Sequence, residues 1–475
     1  MITHILRPRA QRAALLLAAL VAAGAVQACG DVKDTLLEVT DPDLVFPEQL
    51  DTPEGATGLR VGALQRWRFA TGGDNSNGQE STWLTGGLLA DEWGTSSTFV
   101  ENDQLDERRI KLDNNTVTFD FRKLNRVRTA VDQALPAMKK WRPTETTNIA
   151  ELYLARGFAE MQLASDFCNG IPLSDATKNP IVWGDPLMVD SVFALSIITL
   201  DSGLALQSTD TNDVARALKI TKARALLGRG GAANYAAAAA LVATIPSTFS
   251  YNHTYLASSG SNAIWGQARS GRRYNVGDSL EGNSREFLVK NNIPFFSSKD
   301  PRIQANYTIT NGKDTTKSQD GKTWSRTTNM YGQETSVAVA NYIDAQLIIA
   351  EAQLSTNYAG AGGTLAILNG LRAGTRTLGT LTVAANTLPP LTDPGSQTAR
   401  EDQFFREKAF WTFSRGQRLG DMRRLIRQYN RSPNTVFPEG NHYRGGTYGP
   451  DVNLPVPKDE EFNNPKFHGC VNRDA

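Results

Sequence analysis

The stretch NIAELYLARGFAEMQLASDFCNGIPL, Asn148 to Leu173, decides the fold. Leu152, Ala155, Ala159 and Leu163 fall at helical spacing on one face, and Leu154, Phe158 and Met161 on another. A helix apolar on two faces is buried between neighbours. Its alanines and Gly157 leave room for a second helix to approach closely. The spacing predicts a helix over 148–167. The turn Asn169-Gly170-Ile171-Pro172 ends it, because proline lacks the amide that a continuing helix needs.

The same periodicity recurs on both sides. Upstream, Thr52-Pro53-Glu54 reads as a helix cap followed by proline at the first position. Ala56, Leu59, Ala63 and Trp67 then share a face, and the stretch 71–81, rich in Gly, Asn and Ser, reads as a loop. A helix over 119–141 carries Leu124, Val127, Val131 and Leu135 on one stripe, and Pro143-Thr144 breaks it. Downstream, 189–207 and 213–227 form a second pair, followed by an alanine-rich helix at 232–243. The composition then changes. Residues 246–341 are rich in Gly, Ser, Asn, Tyr and Phe, with short strand-like pieces such as 305–309 and a tight turn at Asp320-Gly321. Helices return at 342–354, 365–371, 400–415 and 419–429. The segment 374–397 reads as an exposed loop, and the tail from Arg431 as extended and looped. The chain is therefore mostly α. Tetratricopeptide-like helix pairs at about 119–243 and 342–429 flank a loop-rich, partly β insertion at about 246–341, within a single domain over 51–475.

The first residues follow a different rule. Arg7, Arg9 and Arg12 precede an unbroken small and apolar run, Ala13 to Val26, and then Gln27, Ala28 and Cys29. That is the layout of a secretory signal. The run of 14 residues is shorter than the roughly 20 a membrane span needs. Val26-Gln27-Ala28-Cys29 resembles a bacterial lipobox, with Val and Gln at its first two places. Residues 1–28 then form a signal, Cys29 carries the lipid, and 29–50 form a polar tether. Removing three arginines and no acid takes the formal charge from +1 to −2. Fifty basic against 49 acidic residues leave no electrostatic footprint for nucleic acid. The two other cysteines, Cys168 and Cys470, form an even pair, which outside the cytoplasm predicts a disulfide.

Catalytic constellations are scarce. His253, His442 and His468 are isolated, without the clustering that zinc needs, and no metal or cofactor is expected. Gly228-Arg229-Gly230-Gly231-Ala232-Ala233 mimics a dinucleotide fingerprint, but it follows a helix rather than a strand and reads as a helix-to-helix link. Asp210, Asn212 and Asp213 offer hard oxygens for calcium, with helix capping as the competing use. Paired carboxylates occur as in any protein; Asp91-Glu92, adjacent acids beside the aromatic Trp93, could serve a glycosidase, with a solvated or hydrogen-bonded loop as the competing use.

Five places, in order along the chain, resemble the SusD/RagB family of nutrient-binding outer-membrane lipoproteins. They are the lipobox Cys29; Ala155 to Ala159 running through Asp166-Phe167 to Gly170-Ile171-Pro172-Leu173; Tyr342 to Ala352 with Asn369-Gly370-Leu371-Arg372-Ala373; Gly416 to Arg424; and Leu454-Pro455-Val456-Pro457, followed by Glu460 or Glu461 and Asn464-Pro465. The fourth, similar to the family's Gly-x-Arg-x-x-Asp-Leu-Arg-Arg, is the most specific. Trp411 and Arg415 stand where the family has acids, which marks a divergent branch. The spacing lets Arg418 and Asp421 pair at i and i+3, and lets Arg418, Arg423 and Arg424 reach carbonyls or acids of neighbouring helices.

The resemblance implies a cell-surface, lipid-anchored outer-membrane protein without enzymatic activity. It would pass a nutrient, an oligosaccharide or other oligomer, to a SusC-like TonB-dependent transporter. Sugars are held by aromatic faces and planar polar side chains. The aromatics outside clear helical stripes are Trp83, Trp93, Trp265, Tyr274, Trp324 and Tyr331, with Trp93 and Trp324 as the leading pair. Two other classes compete: a helical repeat scaffold without a small ligand, and a secreted hydrolase working through Asp91 or Glu92.

Overall fold

Helix α1 (Pro53–Ala70) begins with proline at its first position and buries Ala56, Ala63, Trp67 and Ala70. The computed structural model describes residues 50–74, 81–207, 212–312 and 314–475; Cys29, the signal, most of the tether and Asp210 lie outside them. Residues Pro53–Ala475 form one compact unit. After α1 come two short helices that the sequence reading misses, α2 (Thr82–Leu89) and α3 (Val100–Asp106). All eight residues of α2 are buried, so it has no polar face and no helical period to read.

Helix α4 (Asn115–Trp141) starts four residues before the expected Phe119, itself exposed, because Asn114 sets the boundary by accepting the Val117 amide at 3.1 Å. Four residues link it to α5 (Thr146–Asp166), so α5 runs back along α4. Helices α6 (Val189–Leu204), α7 (Asp213–Arg229) and α8 (Ala232–Val242) follow. Gly230 and Gly231, at φ +75° and +87°, make the tight link between α7 and α8. Asn212 caps α7 by accepting the Ala215 amide at 2.8 Å, and Asp213 bonds to Arg216, so these two serve the helix. Each helix packs on the next: α1 on α4, then α4 through α8 in order, then α8 on α9 (Tyr342–Gln353) and α9 on α10 (Thr364–Ala373). The close approach expected at Gly157 is made by Leu200 of α6, whose Cγ would stand 2.5 Å from an added Cβ.

Among the described residues, the strands of the region between α8 and α9 form two-stranded pairings, and two of these leave or close it. Tyr274–Val276 pairs with Trp93–Thr95, and Ser250–His253 with Val337–Asn341. Ala305–Tyr307 pairs with Arg326–Thr328. The segment 374–397, read as exposed loop, instead holds a hairpin, Arg376–Leu378 with Leu381–Val383, that buries Leu378, Leu381 and Val383. Two helices complete the frame, α11 (Gln397–Trp411) and α12 (Arg418–Tyr429).

The Gly416–Arg424 motif is a buried charge lattice. Arg418 does not pair with Asp421. It grips Asp91 with two bonds, 2.7 and 2.9 Å, and thereby ties α12 to the turn after α2. Asp421 instead accepts from Lys408 at 2.8 Å and from Arg424 at 2.7 Å. Arg424 also grips Glu351 of α9, and Arg423 donates to the carbonyls of Ala164 and Ser165 on α5. Arg415 and Gln417 share Asp344, which with Asn341 forms the capping box of α9. One short segment therefore connects four parts of the frame, three through paired buried charges and α5 through its backbone carbonyls.

Cys168 and Cys470 are bridged, with Cα atoms 6.1 Å apart. The bridge pins the tail beside the end of α5, where Asn169 and Asn472 also pair. It closes a loop over a sequence separation of 302, for which chain entropy allows about 5–6 kcal/mol. Chemical denaturation of Cys168→Ser/Cys470→Ser should show a loss of that order, reduced by any native strain the bridge carries. An unchanged midpoint would contradict it.

Candidate functional site

The six candidate aromatics do not form one surface. Trp83, Trp93 and Tyr274 are core residues, each at most 1 % exposed. Trp83 lies against Gly416, where the positive φ of +64° brings the backbone onto the ring. Trp93 donates to Ser414 Oγ at 3.2 Å and packs against Phe413 and Tyr274. None of these three offers a ring face to a ligand; strand pairing of Trp93–Thr95 with Tyr274–Val276 carries two of them inward. Trp265 is half-buried on a π-helical segment, Trp265–Ser270, and packs on the core. Trp324 and Tyr331 line cavities, and the cavities are different ones.

Asp91 and Glu92 are also interior. Asp91 is held by Arg418 and the Ile293 amide, and Glu92 by the Ser414 amide at 2.8 Å, so neither faces a groove as a glycosidase pair would. Burial raises the pKa of Glu92 to about 8, against the pull of the Ser414 bond, with the neighbouring Asp91 charge adding to the rise. The folded chain thus holds this proton more tightly than the unfolded chain. Its contribution is full below about pH 4.5 and is lost as pH rises toward about 8. Glu92→Gln should therefore gain on the native chain by up to roughly 4 kcal/mol between about pH 5 and about pH 9. Urea midpoints at both values check this; a constant difference would contradict it.

Trp324 lies in a crevice that adjoins a polar groove. A cleft of about 530 Å³ runs between the loop after Trp93–Thr95, the insertion and the C-terminal tail. Asp103, Glu107, Glu286 and Asp320 line it with Lys322 and Arg444. Gly282, Asn283, Thr323 and Tyr443 continue it into the crevice that holds Trp324. The Lys317 ammonium stands 3.3 Å from the Trp324 ring centroid and occupies one face.

The groove is a preorganised polar frame. Arg444 is its hub: it donates to both oxygens of Asp103 at 2.8 and 2.7 Å, to Asp320 at 2.9 Å and to the Ser97 carbonyl at 2.9 Å. The expected turn at Asp320-Gly321 is present, with Asp320 accepting the Lys322 and Thr323 amides at 2.9 and 3.0 Å. Below the floor, Tyr443 donates to the Thr95 carbonyl and His442 faces Asp106. Burial raises the pKa of Asp103 and of Glu107, while Arg444 and His442 respectively pull them down. Carboxylates and a guanidinium held by hydrogen bonds, with the Asn283 amide on the rim and an indole in the adjoining crevice, suit polyhydroxylated ligands, whose vicinal hydroxyls both donate and accept. Sequence reading missed Asp103, Asn283, Tyr443 and Arg444. The available signal was Tyr443-Arg444-Gly445-Gly446, an aromatic and a cation in an otherwise looped tail.

Among the described residues, no cluster of His, Cys, Asp and Glu is set to hold a metal, and no helix is long and apolar enough to cross a membrane. His253 is buried against Thr71 and Trp67, and burial lowers its pKa to about 3.

A frame of stacked helices, an insertion of short strand pairs and a polar groove beside them define the class: the chain has the fold of the SusD superfamily. A SusD superfamily protein from Parabacteroides distasonis superposes with a TM-score of 0.63 at 13 % identity, covering 88 % of this chain and 99 % of that one. A SusD-like carbohydrate-binding protein from Bacteroides vulgatus gives 0.59 at 14 %, covering 88 % and 97 %. The surface glycan-binding protein A of Bacteroides uniformis gives 0.59 at 14 %, covering 88 % and 99 %. No family model and no curated protein sequence matches the chain.

Proposed function

We propose that this chain is a non-enzymatic, cell-surface lipoprotein that binds an oligosaccharide in the Asp320–Arg444 groove and delivers it to a SusC-like TonB-dependent transporter in the outer membrane. The groove carries this reading: rigid planar polar side chains converge there beside Trp324. Two of the structural neighbours are described as carbohydrate- or glycan-binding, and they share the fold along nearly their whole length. The lipobox-like Val26 to Cys29 supplies the anchor, and a formal charge of −2 after signal removal leaves little role for charge steering in capture.

Capture by a groove on a rigid helical frame lets ligand contacts vary without disturbing the core. The anchored partner then needs only to present the groove to the barrel mouth. Purification of the tagged protein from its own membranes in mild detergent tests the assembly. A TonB-dependent barrel should co-purify with the native protein, and Cys29→Ser should release the chain from the membrane and lose acyl labelling. Recovery without a barrel, or equal acyl labelling of native protein and Cys29→Ser, would contradict the reading.

A further inference from the structure

Away from the groove, a cavity of about 40 Å³ sits inside the helical frame where α5, α7, α11 and α12 meet, beside the charge lattice. By the space that a buried water needs, it has room for an ion or a few waters and none for an organic ligand. Arg224, Lys408, Arg424 and Arg427 line it, and Asp421 is the one acid among its described lining residues. Counting Glu351, which Lys408 and Arg424 also reach, four cations face two acids. Two positive charges are left in excess.

Arg224 is the cation that the lattice does not pair. It projects from the inner face of α7, where Ile220, Thr221, Leu227 and Gly228, the positions three and four away, are all buried. Its guanidinium lies over the Phe158 ring, 5.2 Å from the centroid, and makes no hydrogen bond or ion pair with a described residue. Arg224 is half-buried, and its nitrogens are not closed off from accessible space, so they open on the cavity that the residue lines. The acids whose charges act on it are each held elsewhere: Asp344 by Arg415 and Gln417, Asp421 by Lys408 and Arg424, Asp166 by Gln162. Burial lowers its pKa to about 10, which leaves it a cation at neutral pH. Arg427, beside it, donates to the Gly228 carbonyl at 3.4 Å and reaches no acid among the described residues. Buried charge without a counter-charge is costly, and a bound anion removes that cost.

We infer that this cavity is an anion site, in which one halide of about chloride size accepts from the Arg224 guanidinium and ties α7 to α12. The full chain is exchanged into sodium gluconate, whose anion is too large for the cavity, and bromide then replaces gluconate at constant ionic strength. Crystals grown in bromide should show an anomalous scattering peak in the cavity, in contact with the Arg224 guanidinium. The melting temperature should rise saturably with bromide, by about 2 °C or more. Arg224→Met, which keeps the length of the side chain and removes its charge, should lose both the peak and the rise; Arg224→Gln serves if that variant does not fold, and the native crystal decides if neither does. A native cavity without a bromide peak, with peaks only elsewhere on the molecule, or an equal melting rise in the variant, overturns the proposal.

Discussion

Replacing Arg424 by alanine should destabilise the fold by about 3–5 kcal/mol, because it leaves buried carboxylates short of a partner. Glu351 would retain Lys408 at 3.4 Å and the Tyr429 hydroxyl at 3.0 Å, and Asp421 would retain Lys408 alone. One ammonium would then serve two interior acids. The net worth of such a lattice relative to an apolar one is modest, since desolvating the charges offsets much of their attraction. Removing one member is different, because the others stay buried. Urea denaturation of Arg424→Ala, with Arg427→Ala as a control that breaks no carboxylate contact, measures the loss. A change under about 1 kcal/mol would mean that water reaches the lattice.

Trp93→Ala is expected to cost about 3–5 kcal/mol, as for other large-to-small changes in a packed core. Its ring is wholly interior, between Phe413 and Tyr274, and its indole nitrogen holds Ser414. Trp93→Phe should recover most of that stability. The groove should then bind as in the native chain, because Trp93 does not line it. Melting curves and ligand titrations on both variants separate the two roles. A Trp93→Phe protein that folds normally but loses ligand would restore the aromatic-platform reading for this residue.

The helical frame was readable because α5 and its neighbours repeat small and apolar residues at a period that only a helix satisfies. Boundaries were less readable. A single cap decides them, as Asn114 does for α4, and hydrophobic spacing does not register it. Helix α2 escaped notice for the opposite reason: it is buried on every side and so has no pattern. The arginines of Gly416–Arg424 were recognisable as structural, but Arg418 reaches Asp91, 327 residues away in sequence, and no local spacing can show that. The same limit governs the aromatics. Trp93 and Trp324 look alike in sequence, each in a loop-like setting beside polar residues. Strand pairing with Tyr274–Val276 turns one into the core, and the Asp320 turn leaves the other at a crevice. The groove combines residues near positions 100, 283, 320 and 444, so its parts became visible only after folding.

The central claim, that the Asp320–Arg444 groove holds an oligosaccharide, is tested most directly by calorimetric titration of the full chain with a panel of oligosaccharides, in parallel with Trp324→Ala and Asp320→Ala. At least one oligosaccharide should bind, and Trp324→Ala should raise its Kd about thirtyfold, near 2 kcal/mol, with an unchanged melting curve. Asp320→Ala should weaken binding by a similar order, since it removes both a groove carboxylate and a partner of Arg444. A panel without a binder, or a ligand held equally well by the native chain and both variants, would contradict the account.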